Sequence, residues 1–142
     1  MRVDFYLLSQ TEPDAFWLMA CRLLEKAYLK NHRVFVYCAH QHDAEHLDEL
    51  LWTFKPDSFI PHHLQGEGPE PPPPIQIGYP NQTEPRGFTD ILLNLTHTPD
   101  FFARFDRIME IIASDEPSKH RGRENFRKYK PMTDQIHTHQ MA

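Results

Sequence analysis

The residues of this chain best suited by type and spacing to bind a metal are Cys38, His40, His42 and His46, among ten histidines in all. Zinc asks for four such ligands converging as a tetrahedron. His42 and His46 are one helical turn apart and could share an ion, but Cys38-x-His40 lies in an extended run at no zinc-site spacing. His137-x-His139 near the C-terminus is a weaker pair. A nucleophilic Cys38/His40 pair also lacks a third orienting group and an oxyanion donor. The expectation is therefore no catalytic residue, no metal and no cofactor.

Two further groups offer binding rather than catalysis. "KHRGRENFRKYK", residues 119–130, holds six of the fifteen Lys and Arg residues and one acid, so it carries +5 against −10 for the remainder. On a helix Lys119, Arg123 and Arg127 form a row one turn apart, with Phe126 and Tyr129 alongside. From the residues alone three readings stay open: a solvated helix whose cations suit its own C-terminal dipole, a nucleic-acid contact, or a seat for an acidic peptide. So acidic a remainder makes a poor nonspecific nucleic-acid binder, which favours the peptide. The other group is "LLWTFKPDSFIPHHL", residues 50–64, where Trp52, Phe54, Phe59 and Ile60 crowd a Lys-Pro-Asp turn ahead of His62 and His63.

Strands alternating with helices must position these groups. "VDFYLL" (3–8), "RVFVYC" (33–38), "SFIPH" (58–62), "IQIGY" (75–79) and "DILLNL" (90–95) are short apolar runs of strand type. Between the first two, a helix is expected to open with Thr11 as N-cap, Asp14 three residues on and Pro13 in its first turn. Ala44, Leu47, Leu50, Leu51 and Phe54 fall at helical spacing. Thr98-Pro99 is expected to start an amphipathic helix bearing Phe101, Phe102, Phe105, Ile108, Met109 and Ile112, and a last helix to begin near Ser114. Strands buried on both faces and separated by helices predict a three-layer α/β/α domain with a mainly parallel sheet.

At 142 residues the chain makes one domain with a core of its own. We expect it to span 1–130, with 131–142 as a flexible tail lacking periodicity. No apolar run approaches the roughly 20 residues of a membrane span. "MRVDFYLLSQ" is too short and too soon polar for a signal peptide, so a cytoplasmic protein is expected. Cys21 and Cys38 then read as free thiols. "GEGPEPPPP", residues 66–74, reads as a stiff polyproline connector. The first strand-to-helix junction, "LLSQTEPDAF", has no glycine and two acids, and the chain has five glycines in all. Backbone amides cannot cradle a phosphate there, so neither nucleotide hydrolysis nor dinucleotide redox chemistry is expected.

"DFYLL", "RVFVYC", "LDELLW", "SFIPHHLQGEGP", "DILLNL" and "RENFRKYK" also resemble, in order and spacing over essentially residues 1–130, the chi subunit of bacterial DNA polymerase III. The resemblance implies a nucleotide-binding-like fold without a nucleotide site, and a non-catalytic accessory subunit in DNA replication. It implies two partners, the psi subunit of the clamp-loader complex and the acidic, Phe-terminated tail of single-stranded-DNA-binding protein. Trp52, Phe59, Pro61 and His62 match the psi-facing segment. Ile112, Lys119, Arg123 and Phe126 match the tail-binding positions, with Tyr129 beside them. Phe126 stands where members often carry Tyr, which keeps the ring and removes a hydroxyl. The alternative from the residues is a direct single-strand nucleic-acid binder using the 119–130 helix.

Overall fold

Alternation of side chains across each strand explains the layers of the computed structural model, which describes residues 1–67, 72–80 and 85–141. In β1 (Arg2–Leu8), β2 (Val34–Tyr37), β5 (Ile91–Asn94) and β6 (Arg107–Ile112) most residues are apolar and they point to both sides, so both faces need cover. Val34, Val36, Ile91, Leu93, Met109 and Ile111 point to one core. Phe5, Phe35, Leu92, Ile108 and Ile112 point to the other. With β3 (His62–Leu64), β4 (Ile75–Gly78) and β7 (Ile136–Met141) they form a seven-stranded sheet in the order β3-β4-β2-β5-β6-β1-β7. Every pairing in it is parallel.

The direction of travel decides which face each connection covers. From β1 through β2 to β3 the chain moves one way across the sheet, and α1 (Asp14–Leu29) and α2 (Gln41–Thr53) pack on the first core. It then returns, and right-handed crossovers put the returning connections on the opposite face. There Phe88, Phe105 and Tyr129 of α3 (Glu116–Tyr129) close the second core. The result is the α/β class with helices on both faces of a parallel sheet.

Four expectations are corrected. The strand expected at 58–62 lies instead at His62–Leu64, starting after Pro61, which has no N–H to give to a ladder. The segment after Pro99 is no long helix: residues 100–104 make one 3₁₀ turn, and Arg107–Ile112 is the strand β6, paired to both β1 and β5. Ile108, Ile111 and Ile112 are β-branched and favour a pleated central position, which outweighs their accidental helical spacing. The segment from Pro131 does not fray throughout. Ile136–Met141 forms β7 along the free edge of β1, with Ile136 and Met141 packed against the two cores. Finally, α1 starts at Asp14 behind Pro13 without a side-chain cap, so Thr11 is not its N-cap. Part of the proline-rich connector, residues 68–71, lies outside the described residues.

Candidate partner-binding surfaces

α3 begins where Asp115, in extended backbone, accepts a hydrogen bond from the Ser118 backbone N–H at 3.1 Å. Three buried side chains then tie it to the sheet. Glu110 of β6 accepts from Asn94 Nδ2 at 2.7 Å, from Asn125 Nδ2 at 3.0 Å and from the Tyr129 hydroxyl. Burial pushes the Glu110 carboxyl above its ordinary range, against the pull of these donors. It raises the Tyr129 phenol as well. Gly122 brings the helix close to β6, since a Cβ there would stand 2.8 Å from Ile112 Cδ1.

On its outward side α3 and the ends of β1 and β6 enclose a hollow of about 580 Å³. Its apolar lining is Phe5, Leu7, Ile112 and Phe126, and Lys119, Arg123 and Arg127 stand on its rim. Phe126 is 43% exposed and its ring lies 6.2 Å from that of Phe5. Arg123 and Arg127 have no carboxylate partner among the described residues. Lys119 has only a loose approach to Glu116 at 4.0 Å. Apolar lining beneath unpaired cations is a chemistry for a hydrophobic group attached to an anion, such as a C-terminal aromatic residue.

Four of the five residues expected here thus share one cavity. Tyr129 does not: it is fully buried, its hydroxyl donating to Glu110 and accepting from Thr98 at 3.2 Å. Gly122, Asn125 and Tyr129 recur at i, i+3 and i+7 as the buried stripe of α3, so Tyr129 anchors the helix to the sheet instead of lining the hollow. Phe5, Leu7, Gly122, Arg127 and Thr138 were not anticipated as lining. Arg127 already stood in the sequence row of cations; Phe5 and Leu7 become neighbours of α3 only when β1 pairs with β6, and Thr138 only when β7 then pairs with β1.

The second surface lies at the α2-to-β3 junction. Trp52 is 54% and Phe59 63% exposed, their centroids 5.7 Å apart. Pro61 is partly exposed between them and β3. His62 is corrected: its side chain is buried, Nδ1 lying 2.6 Å from the Ile60 carbonyl oxygen and Nε2 3.0 Å from that of Asp48. Its ring supports Trp52 from below at 4.8 Å. His62 therefore lies beneath the exposed rings and holds them in place.

Elsewhere, Cys21 and Cys38 are buried free thiols, and burial pushes Cys21 up to about 12 and raises Cys38 as well. His40 and His42 stack on each other, and His46 packs on Trp17. Among the described residues no group of three or more ligand-type side chains converges as a metal site. No helix among them is long and apolar enough to cross a membrane.

The family model described as "DNA polymerase III chi subunit, HolC" matches residues 1–136. The DNA polymerase III subunit chi of Pseudomonas aeruginosa is 34% identical over 141 residues, covering 99% of this chain and 96% of that protein. The subunit chi of Escherichia coli is 32% identical, covering 89% of this chain and 88% of that protein. For Haemophilus influenzae the identity is 29%, with 88% and 87% covered.

Proposed function

Because the chain belongs to the family of DNA polymerase III chi subunits, we propose that it is a non-catalytic adaptor linking the clamp loader, through psi, to the acidic tail of single-stranded-DNA-binding protein. The observation that carries this reading is the apolar hollow under α3 with Lys119, Arg123 and Arg127 at its rim. A Phe-terminated peptide would bury its ring between Phe5, Ile112 and Phe126 and set its carboxylates against the cations. Psi would dock on Trp52 and Phe59, since a pair of exposed rings in a small patch is the usual energetic centre of an interface.

Fluorescence anisotropy with a short acidic peptide ending in Phe tests the tail reading. Charge-assisted hydrogen bonds contribute about 1.5–3 kcal/mol, so Arg123→Ala should weaken the peptide by at least about tenfold. Added salt should weaken it too, because the cations are exposed. Omitting the terminal Phe should cost a similar factor. Equal binding of peptides with and without that Phe would sink the proposal.

A further inference from the structure

The strands that wall the α3 hollow carry a second hollow on their other face. It encloses about 430 Å³ where the C-terminal turn of α1 passes over the starts of β1, β5 and β6. Arg2, Lys26, Lys30, Arg107, His32 and His139 line it, and no lining side chain is a carboxylate. In a chain of net charge −5 this is a local reversal of sign.

The nearby acids are already engaged. Asp4 is buried and bonded to Arg2 at 3.1 Å, to Arg107 at 2.8 Å and to His139 at 2.8 Å. Asp90 is bonded to the His32 ring at 2.9 Å and to the Arg33 backbone N–H at 3.0 Å. Lys26 and Lys30 have no carboxylate partner among the described residues. The dipole of α1 accounts for two lysines in its last turns. Arg2 and Arg107, from β1 and β6, share the single carboxylate of Asp4, so that cluster keeps a net positive charge. Beside the cations the Tyr6 ring stacks on the imidazole of His139, centroids 4.8 Å apart and 16° from parallel.

We propose that this hollow binds single-stranded nucleic acid, the cations meeting its phosphodiesters and the Tyr6–His139 stack meeting a base. Cations beside a stacking ring are the footprint of single-strand binding. An acidic peptide would use the cations and leave the ring pair idle. No amide cradle is involved, so the glycine-free β1-to-α1 turn is no obstacle. The site is also independent of the α3 hollow: along β7, Thr138 faces one and His139 the other, so both can be filled together.

The test is anisotropy of a labelled oligothymidylate with the full chain over a salt series. Lys26→Ala/Lys30→Ala is the informative variant, because both lysines are exposed whereas Arg2 and Arg107 hold Asp4 in the folded core. Each phosphate contact on a single strand contributes about 0.7 to the slope of log affinity against log salt. The variant should therefore lose about 1.4 from that slope and about tenfold in affinity at low salt. The short acidic Phe-terminated peptide should bind it as it binds the wild type. The proposal is overturned if the wild type binds no oligonucleotide at low salt, or if Arg123→Ala abolishes binding while the lysine variant retains it. Displacement of the oligonucleotide by equimolar pyrophosphate would mark a small-anion site and overturn it too, as would dependence of a Phe-free acidic peptide on the same lysines.

Discussion

Glu110 is a fully buried carboxyl that faces no partner surface, yet three side chains donate to it. Burial dominates and raises its folded-state pKa above the ordinary 4.5, so the folded protein holds this proton more tightly than the unfolded chain does. By linkage, its contribution to stability is greatest below 4.5 and is lost as pH rises through the folded-state value. Asp4 runs the opposite way. Burial would raise it, but Arg2, His139 and Arg107 together hold it below its ordinary 3.8, so its contribution is lost as pH falls. Glu110→Gln keeps an acceptor for Asn125 or Asn94 and removes the titration. The melting-temperature difference between this variant and wild type should shift in the variant's favour as pH rises above 4.5. Parallel melting curves across pH would mean that the network does not titrate.

The proposed role of α3 depends on Gly122, which lets the helix lie against Ile112. Alanine at that position gains about 1 kcal/mol of helix propensity. Its Cβ, however, would force Ile112 Cδ1 aside from 2.8 Å, toward the hollow. Gly122→Ala should accordingly melt within a few degrees of wild type and bind the acidic Phe-terminated peptide severalfold more weakly. Unchanged peptide affinity would show that Ile112 has slack. The α2-to-β3 junction makes the complementary case, because Trp52 and Phe59 are more than half exposed and the His62 below them is locked by carbonyl oxygens. Trp52→Ala/Phe59→Ala should leave the fold and the peptide affinity intact while abolishing co-migration with psi in size-exclusion chromatography. A variant that unfolds would identify the two rings as core.

At the scale of the molecule the last strand is the piece on which most depends. β7 covers the edge of β1 and adds Met141 to the α1 face and Ile136 to the α3 face. It also gives a wall to both hollows, and the Thr133 hydroxyl donates to the Met1 carbonyl oxygen at 2.6 Å, tying the chain ends together. Ending the chain after Asp134 would uncover β1 as a long apolar edge, the kind of edge that invites aggregation. Such a truncation should lower the melting temperature by several degrees, promote association on concentration, and weaken the acidic peptide. Melting identical to the full chain would make β7 dispensable.

The α/β class, the places of β1, α1, β2, α2, β4 and β5, and the grouping of Lys119, Arg123 and Phe126 on one helix were legible in residue types, because strand composition, helical spacing and a cluster of charge are local properties; Ile112 joined them only through the family resemblance. The family resemblance rests on the same local motifs. What could not be read locally followed from pairing across long stretches of chain. Residues 107–112 satisfy a helical spacing as well as a strand pattern, and only the empty place between β1 and β5 makes them a strand. Residues 136–141 are too polar to announce themselves, and become ordered because β1 offers unpaired backbone groups along its edge. Tyr129 and His62 look like surface groups in the sequence, and their burial follows from where Glu110 and the carbonyls of Asp48 and Ile60 come to lie. The cationic hollow gathers Arg2, Lys26, Arg107 and His139 from both ends of the chain, a convergence that spacing along the sequence cannot express.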